Sequence, residues 1–325
     1  MLAGDALTGA PKWCEMAPMS TPSHLSRAGH TLRSALLVAG LLATLGLLVS
    51  VGGTTAASAA NTKYYVSLGD SYSVGYQPSP KPGGATSGYT AVVARGTHMK
   101  LVNFGCGGAT TTSILETVGC AAPYGPPAAT GRATYPTQTQ AAAAEAFIRA
   151  HQGTIGLITV SIGGNDVTAC ATNANPVSCV AAVTTEIKSH VGTLAQGLRA
   201  AAGPSVPIIG LTYPDVVLGK WVYPSSKPDK SLATLSVTAF KSLINPALSQ
   251  AYTSAGGTFV DVTAKTGAYA PLTKTVRLAP YGSIPVAVAS VCKLTWYCQL
   301  GNIHAKTVGY KLIGTQILAA YRSAT

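Results

Sequence analysis

The sequence predicts an α/β domain built on a mainly parallel sheet. Two observations carry this: five short apolar runs, several rich in β-branched residues, and helical stretches alternating with them along the chain. A third, the polar residues that follow each run, predicts where ligands gather. In such sheets they bind beyond the carboxyl ends of the strands.

"KYYVSLG" (63–69), "MKLVNFG" (99–105), "TIGLITVSIGG" (154–164), "SVPIIGLTYP" (205–214) and "GTFVDVT" (257–263) read as buried strands. Ala-rich 137–151 reads as a helix. So does 178–203, which closes on Gly203 and Pro204. Segment 231–257 carries Pro246 inside and is expected to kink or split. Residues 304–324 form the last expected helix.

The chain has 325 residues. Residues 35–51 are uncharged and apolar, with Arg27 and Arg33 before them and "AASAA" after them. A basic flank, an apolar middle and a small-residue exit predict a secretory leader. Cleavage is expected near Ala59, with Met1 or Met19 as the start. Residues 1–59 are then an N-terminal region, and 60–325 a single domain large enough for one core. An exported, extracellular protein is expected. Its six cysteines after the leader favour disulfides, and spacing suggests Cys106–Cys120, Cys170–Cys179 and Cys292–Cys298. No C-x-x-C pair exists, so a zinc site is not expected. Eight carboxylates face 19 Lys and Arg after Ala59, but the basic residues are scattered, so nucleic-acid binding is not expected.

Asp70 and Ser71 follow the first run. "NFGCGGATTTS" follows the second, "GGND" the third, "TYPD" the fourth and Asp261 the fifth. His304 precedes the final helix. Taken singly, each of these is an ordinary cap or turn residue. Together they make a set for acyl transfer. Ser71 supplies a hydroxyl and His304 a base for its proton. The N–H groups of Ser71 and Gly108 and the amide of Asn165 are donors for an oxyanion.

The blocks "GDSYS", "NFGCGGAT", "GGND" and "NIHAKTVGY", in this order, resemble those of the SGNH, or GDSL, hydrolases. The resemblance implies a three-layer α/β/α fold, SGNH-hydrolase or flavodoxin-like, with a five-stranded mainly parallel sheet. It maps Ser71 onto the nucleophile, Gly108 and Asn165 onto oxyanion donors, and His304 onto the base. It implies a metal-free esterase or lipase similar to secreted actinobacterial enzymes. No cofactor is expected. Alternatives are a carbohydrate O-deacetylase or a catalytically silent protein that binds wall polymer or lipid.

The sequence departs from the pattern at two places. Tyr72 stands where the family name has Leu. Gly301 stands three residues before His304, where a carboxylate is usual. The expected partner of the histidine is therefore a backbone carbonyl at Gly301, with Asp261 or Asp215 as alternatives. The Cys292–Cys298 bridge would steady that loop. Long connections at 117–138, 213–231 and 265–298 carry Tyr124, Trp221, Tyr223, Tyr269, Tyr281 and Trp296, which are expected to rim the substrate site. The substrate is read as a small or lipid-like acyl ester, with room for peripheral lipid contact, and the protein as a monomer.

Overall fold

The structure is a computed structural model that describes residues 62–78, 88–120 and 131–325. The apolar run 35–51, the cleavage position near Ala59, Met19 and Tyr124 lie outside the described residues. The described residues belong to one compact unit.

Five parallel strands form the central sheet: β1 (Tyr64–Gly69), β2 (Lys100–Asn103), β3 (Ile155–Ser161), β4 (Ile208–Leu211) and β5 (Thr258–Val260), in the order β2-β1-β3-β4-β5. Side chains alternate between faces. Val66, Leu68, Ile158, Val160 and Ile208 enter one core; Tyr65, Leu157, Ile209 and Leu211 enter the other. Both faces are covered, which explains runs that are apolar throughout rather than alternating.

The helices divide accordingly. Helix α1 (Tyr89–Thr97) packs on the C-terminal helix and lies on the Tyr65 face. Helices α2 (Thr111–Glu116), α3 (Gln140–Ala150), the short α4 (Gly164–Thr168) and the long α5 (Pro176–Ala202) gather on the Val66 face. The 231–257 segment runs as α6 (Lys230–Ala239), a π-helical turn (Phe240–Ile244) and α7 (Asn245–Ser254). Pro246 lies at the start of α7, where its missing N–H costs least. Helix α8 (Val262–Lys265) follows β5, with Asp261 as its N-cap. A two-stranded antiparallel hairpin, β6 (Thr275–Leu278) and β7 (Gly282–Pro285), leads to α9 (Val286–Leu294) and α10 (Tyr297–Leu300). Helix α11 (Thr307–Ala324) closes the chain. The fold is the three-layer α/β/α arrangement expected. The connection at 265–298, however, holds the hairpin and α9 around a third small core with Leu218, Ile284 and Val288, and is not an open loop.

Three disulfides join Cys106 to Cys120, Cys170 to Cys179, and Cys292 to Cys298. No described helix is long and apolar enough to cross a membrane.

Asp215 is wholly buried beside the sheet, its Oδ2 accepting from Ser236 Oγ at 2.8 Å. Burial raises its carboxyl from 3.8 to about 7. The folded chain therefore keeps a proton that the unfolded chain releases above 3.8. Asp215's contribution to stability is lost as pH rises through that window. Asp215→Asn is expected to melt higher relative to the native protein at pH 8 than at pH 5. An unchanged difference between the two would contradict this.

Candidate active site

The sheet order reverses direction between β1 and β3, and there a crevice opens at the carboxyl edge. Ser71 sits just past β1 and Asn165 just past β3, so the two flank this crevice from neighbouring strands.

Local chemistry at the end of β1 explains the sharp exit. Gly69 has φ +136°, and a Cβ there would meet the Ser161 carbonyl oxygen at 2.1 Å. Only glycine allows β1 and β3 to close so tightly at this point. Its backbone is held from both sides. Gln140 at the start of α3 accepts from Gly69 N–H at 2.6 Å and donates to the Gly69 carbonyl at 3.1 Å. Cys106 N–H donates to that same carbonyl at 2.9 Å. Gln140 carries no motif in the sequence; only the fold brings it to the strand end.

Ser71 Oγ lies 2.8 Å from His304 Nε2, across 233 positions of chain. Both residues are largely shielded from water. His304 Nδ1 lies 2.8 Å from Asn302 Oδ1, and the His304 backbone N–H donates to the same oxygen at 3.0 Å. The backbone N–H can only donate, which identifies this atom as the amide oxygen, an acceptor. Nδ1 therefore carries the proton, and the lone pair on Nε2 faces the serine hydroxyl.

This corrects the expected partner of the histidine. The Gly301 carbonyl is not the acceptor, and neither Asp261 nor Asp215 reaches the ring. Gly301 takes φ +64° to end α10, its N–H donating to the Tyr297 carbonyl at 2.7 Å, and so turns the chain toward His304. Asp261 caps α8 through Ala264 N–H at 2.8 Å and accepts from Asn245 at 2.7 Å. Asn302, two residues before the histidine, was legible as part of "NIH", but no carboxylate pattern singled it out.

The name-giving departure, Tyr72, also acts on this loop. Its hydroxyl donates to the Ile303 carbonyl at 2.5 Å, and its ring stacks on His304 at 5.8 Å. Tyr76 meets the imidazole edge-on at 4.4 Å. Asp70 underpins the turn: Oδ1 accepts from Tyr72 N–H at 2.9 Å and Oδ2 from Tyr213 OH at 2.6 Å. Burial raises the Asp70 carboxyl to about 7.

The oxyanion candidates lie on coupled segments. Asn165 Nδ2 donates to the Ala109 carbonyl at 2.8 Å, leaving its second N–H for a ligand. Gly108, next in chain to Ala109, is exposed at φ +76° with open space around it. Asp166 ties the same loop down, accepting from Thr111 N–H at 3.1 Å and Thr111 Oγ1 at 2.6 Å.

A cavity of about 280 Å³ opens at Ser71. Asn165, Tyr213, Val217, Phe240 and Ile244 line it, and Lys220 and Asp70 are its charged residues. The described aromatics among those expected at the rim stand elsewhere. Trp221, Tyr223 and Tyr281 line a separate surface hollow. Tyr269 bonds Asn245, and Trp296 reaches Gln77. Tyr213 and Tyr297 supply the cavity's aromatic wall along with Phe240 and Tyr72. Among the described residues no cluster of three His, Cys, Asp or Glu is placed to hold a metal.

The sequence pattern of the GDSL-like lipase/acylhydrolase family matches residues 67–312. The chain belongs to this family. Solved structures with a similar fold include a phospholipase A1 from Streptomyces albidoflavus, 18% identical over 80% of this chain and 98% of that one, TM-score 0.49. An extracellular lipase from Streptomyces rimosus is 20% identical over 81% of this chain and 100% of that one, TM-score 0.44. A carbohydrate acetylesterase family member from Sinorhizobium meliloti is 13% identical over 81% and 99%, TM-score 0.47. No curated protein matches.

Burial lowers the His304 imidazole from 6.5 to about 4, and its acceptor is neutral. The imidazole then stays neutral, and able to accept a proton, down to about pH 4. In this family member, Asn302→Asp would set a negative charge against Nδ1 and raise that value by about one unit or more. The acid limb of kcat/KM is expected near pH 4 in the native protein and at least one unit higher in the variant. Coincident limbs would contradict this reading of the dyad.

Proposed function

We propose that the protein is an exported serine carboxylester hydrolase. The observation that carries this is the 2.8 Å separation of Ser71 Oγ and His304 Nε2, with the histidine tautomer fixed by Asn302.

In the first half-reaction, Ser71 Oγ attacks the acyl carbonyl while its proton passes to His304 Nε2. The carbonyl oxygen becomes an oxyanion facing Ser71 N–H, Gly108 N–H and the free N–H of Asn165. Collapse of the tetrahedral species breaks the ester C–O bond. The proton on Nε2 goes to the departing alkoxide, which leaves as an alcohol. Water then adds to the acyl-serine by the same route, giving up its proton to Nε2, and Ser71 regains one as the acid departs.

A neutral Asn302 orients the ring as an aspartate would but stabilises the imidazolium less. Burial disfavours the imidazolium further. The network of Tyr72, Ile303 and Asn302 supports catalysis by position, with less help from charge. Export is supported by the apolar stretch at 35–51 and by three disulfides, which persist in oxidising compartments.

Hydrolysis of p-nitrophenyl butanoate tests the reading. Ser71→Ala is expected to abolish turnover, and Asn165→Ala to lower kcat by about 10²–10³ with the circular-dichroism spectrum unchanged. His304→Ala should cost about 10²–10⁴. Turnover by Ser71→Ala equal to that of the native protein would overturn the proposal.

A further inference from the structure

Beyond the cavity at Ser71 lies a second hollow of about 130 Å³, between the start of α5 and the outer face of α6. The two share four side chains: Val167, Val217, Phe240 and Ile244. They therefore abut, and the side chains they share are all apolar. Phe240 and Ile244 are the first and last residues of the π-helical turn, so this irregular turn presents two of the shared side chains to both cavities. π-Turns inside helices recur at functional sites.

The second hollow is apolar in a way the first is not. Val177 and Val180 of α5 form one wall, and Leu232, Leu235 and Ala239 of α6 the other. The Cys170–Cys179 bridge pins the preceding turn to the start of α5 along the first of these walls. Ser236, one of its few hydroxyls, bonds Asp215 Oδ2 instead of facing a ligand. At the outer end, Val177 and Leu235 are 57% and 44% exposed. Exposed large aliphatics on both lips of one trough are hard to explain by folding alone.

We propose that this trough is an acyl-chain site, reached from the cavity at Ser71 past these four shared side chains, and that the protein's preferred substrates are esters of medium to long unbranched fatty acids. This rests on the hydrolase reading of Ser71. With the carbonyl at Ser71 and Asn165, the chain runs between Val167 and Val217, over Phe240 and Ile244, and out between α5 and α6. An acetyl group would leave the trough empty, and a sugar would find almost no polar partners in it. Each methylene moved from water to such walls is worth up to about fourfold in kcat/KM.

The test uses the full chain and p-nitrophenyl esters of two, four, eight and twelve carbons, each below its aggregation concentration. The native protein is expected to show kcat/KM rising to at least the eight-carbon ester. Ala239→Trp, which fills the trough, and Leu235→Asp, which charges its exposed lip, should each lower the twelve-to-four-carbon ratio at least tenfold. A flat profile, or ratios unmoved in both variants, overturns the acyl site while leaving the hydrolase reading intact. Absence of turnover with every ester would instead sink the hydrolase reading. Dodecanoate binding by calorimetry then decides the trough alone: binding weakened by Ala239→Trp supports it, and no binding overturns it.

Discussion

The close approach of β1 to β3 at Gly69 is the constraint on which the site depends. A side chain at this residue would collide with a backbone carbonyl, an obstacle that cannot swing aside as a flexible side chain can. Without that approach the chain could not leave β1 abruptly enough to lift Ser71 above the sheet edge. Gln140 holds the peptide of Gly69 from α3, and Cys106 holds it from the loop after β2. Two segments distant in sequence are thus fixed to the backbone of Gly69, and Ser71 follows two residues later.

The histidine loop is fixed differently. It approaches from the C-terminal side of the domain and is gripped by side chains. Tyr72 ties its backbone at Ile303, Asn302 ties the ring, and Gly301 provides the turn that lets both happen. Tyr72 thus links the serine turn to the histidine loop directly. The usual division of labour, with one carboxylate doing both orientation and charge compensation, is replaced by neutral contacts. Such a site keeps its geometry with few formal charges to desolvate, at some loss of imidazolium stabilisation.

Much of this was legible beforehand, for a physical reason. Strands buried on both faces leave continuous apolar runs, and the five runs mark all five strands of the sheet. Residues that must stand at strand ends follow those runs directly, which is why Ser71, Asn165 and Asp166 could be located. What escaped notice depends on tertiary placement. Helix α1 is short and follows a segment without a clear start signal. The hairpin β6–β7 and α9 hide in a stretch whose prolines and glycines read as loop. Gln140 is one polar residue among alanines, and Asn302 is a neutral side chain one position after the place where the pattern has its carboxylate. The rim aromatics were misread because a connection's length says that it covers something, not what it covers.

All three disulfides close small circuits, with separations of 14, 9 and 6 residues. None staples one layer of the domain to another. The sheet and its two helical coats can assemble from a reduced chain, since no bridge is needed to define which strand neighbours which. The bridges constrain the turn after β2, the start of α5 and the segment ahead of the histidine loop, each by the modest entropy of a short ring.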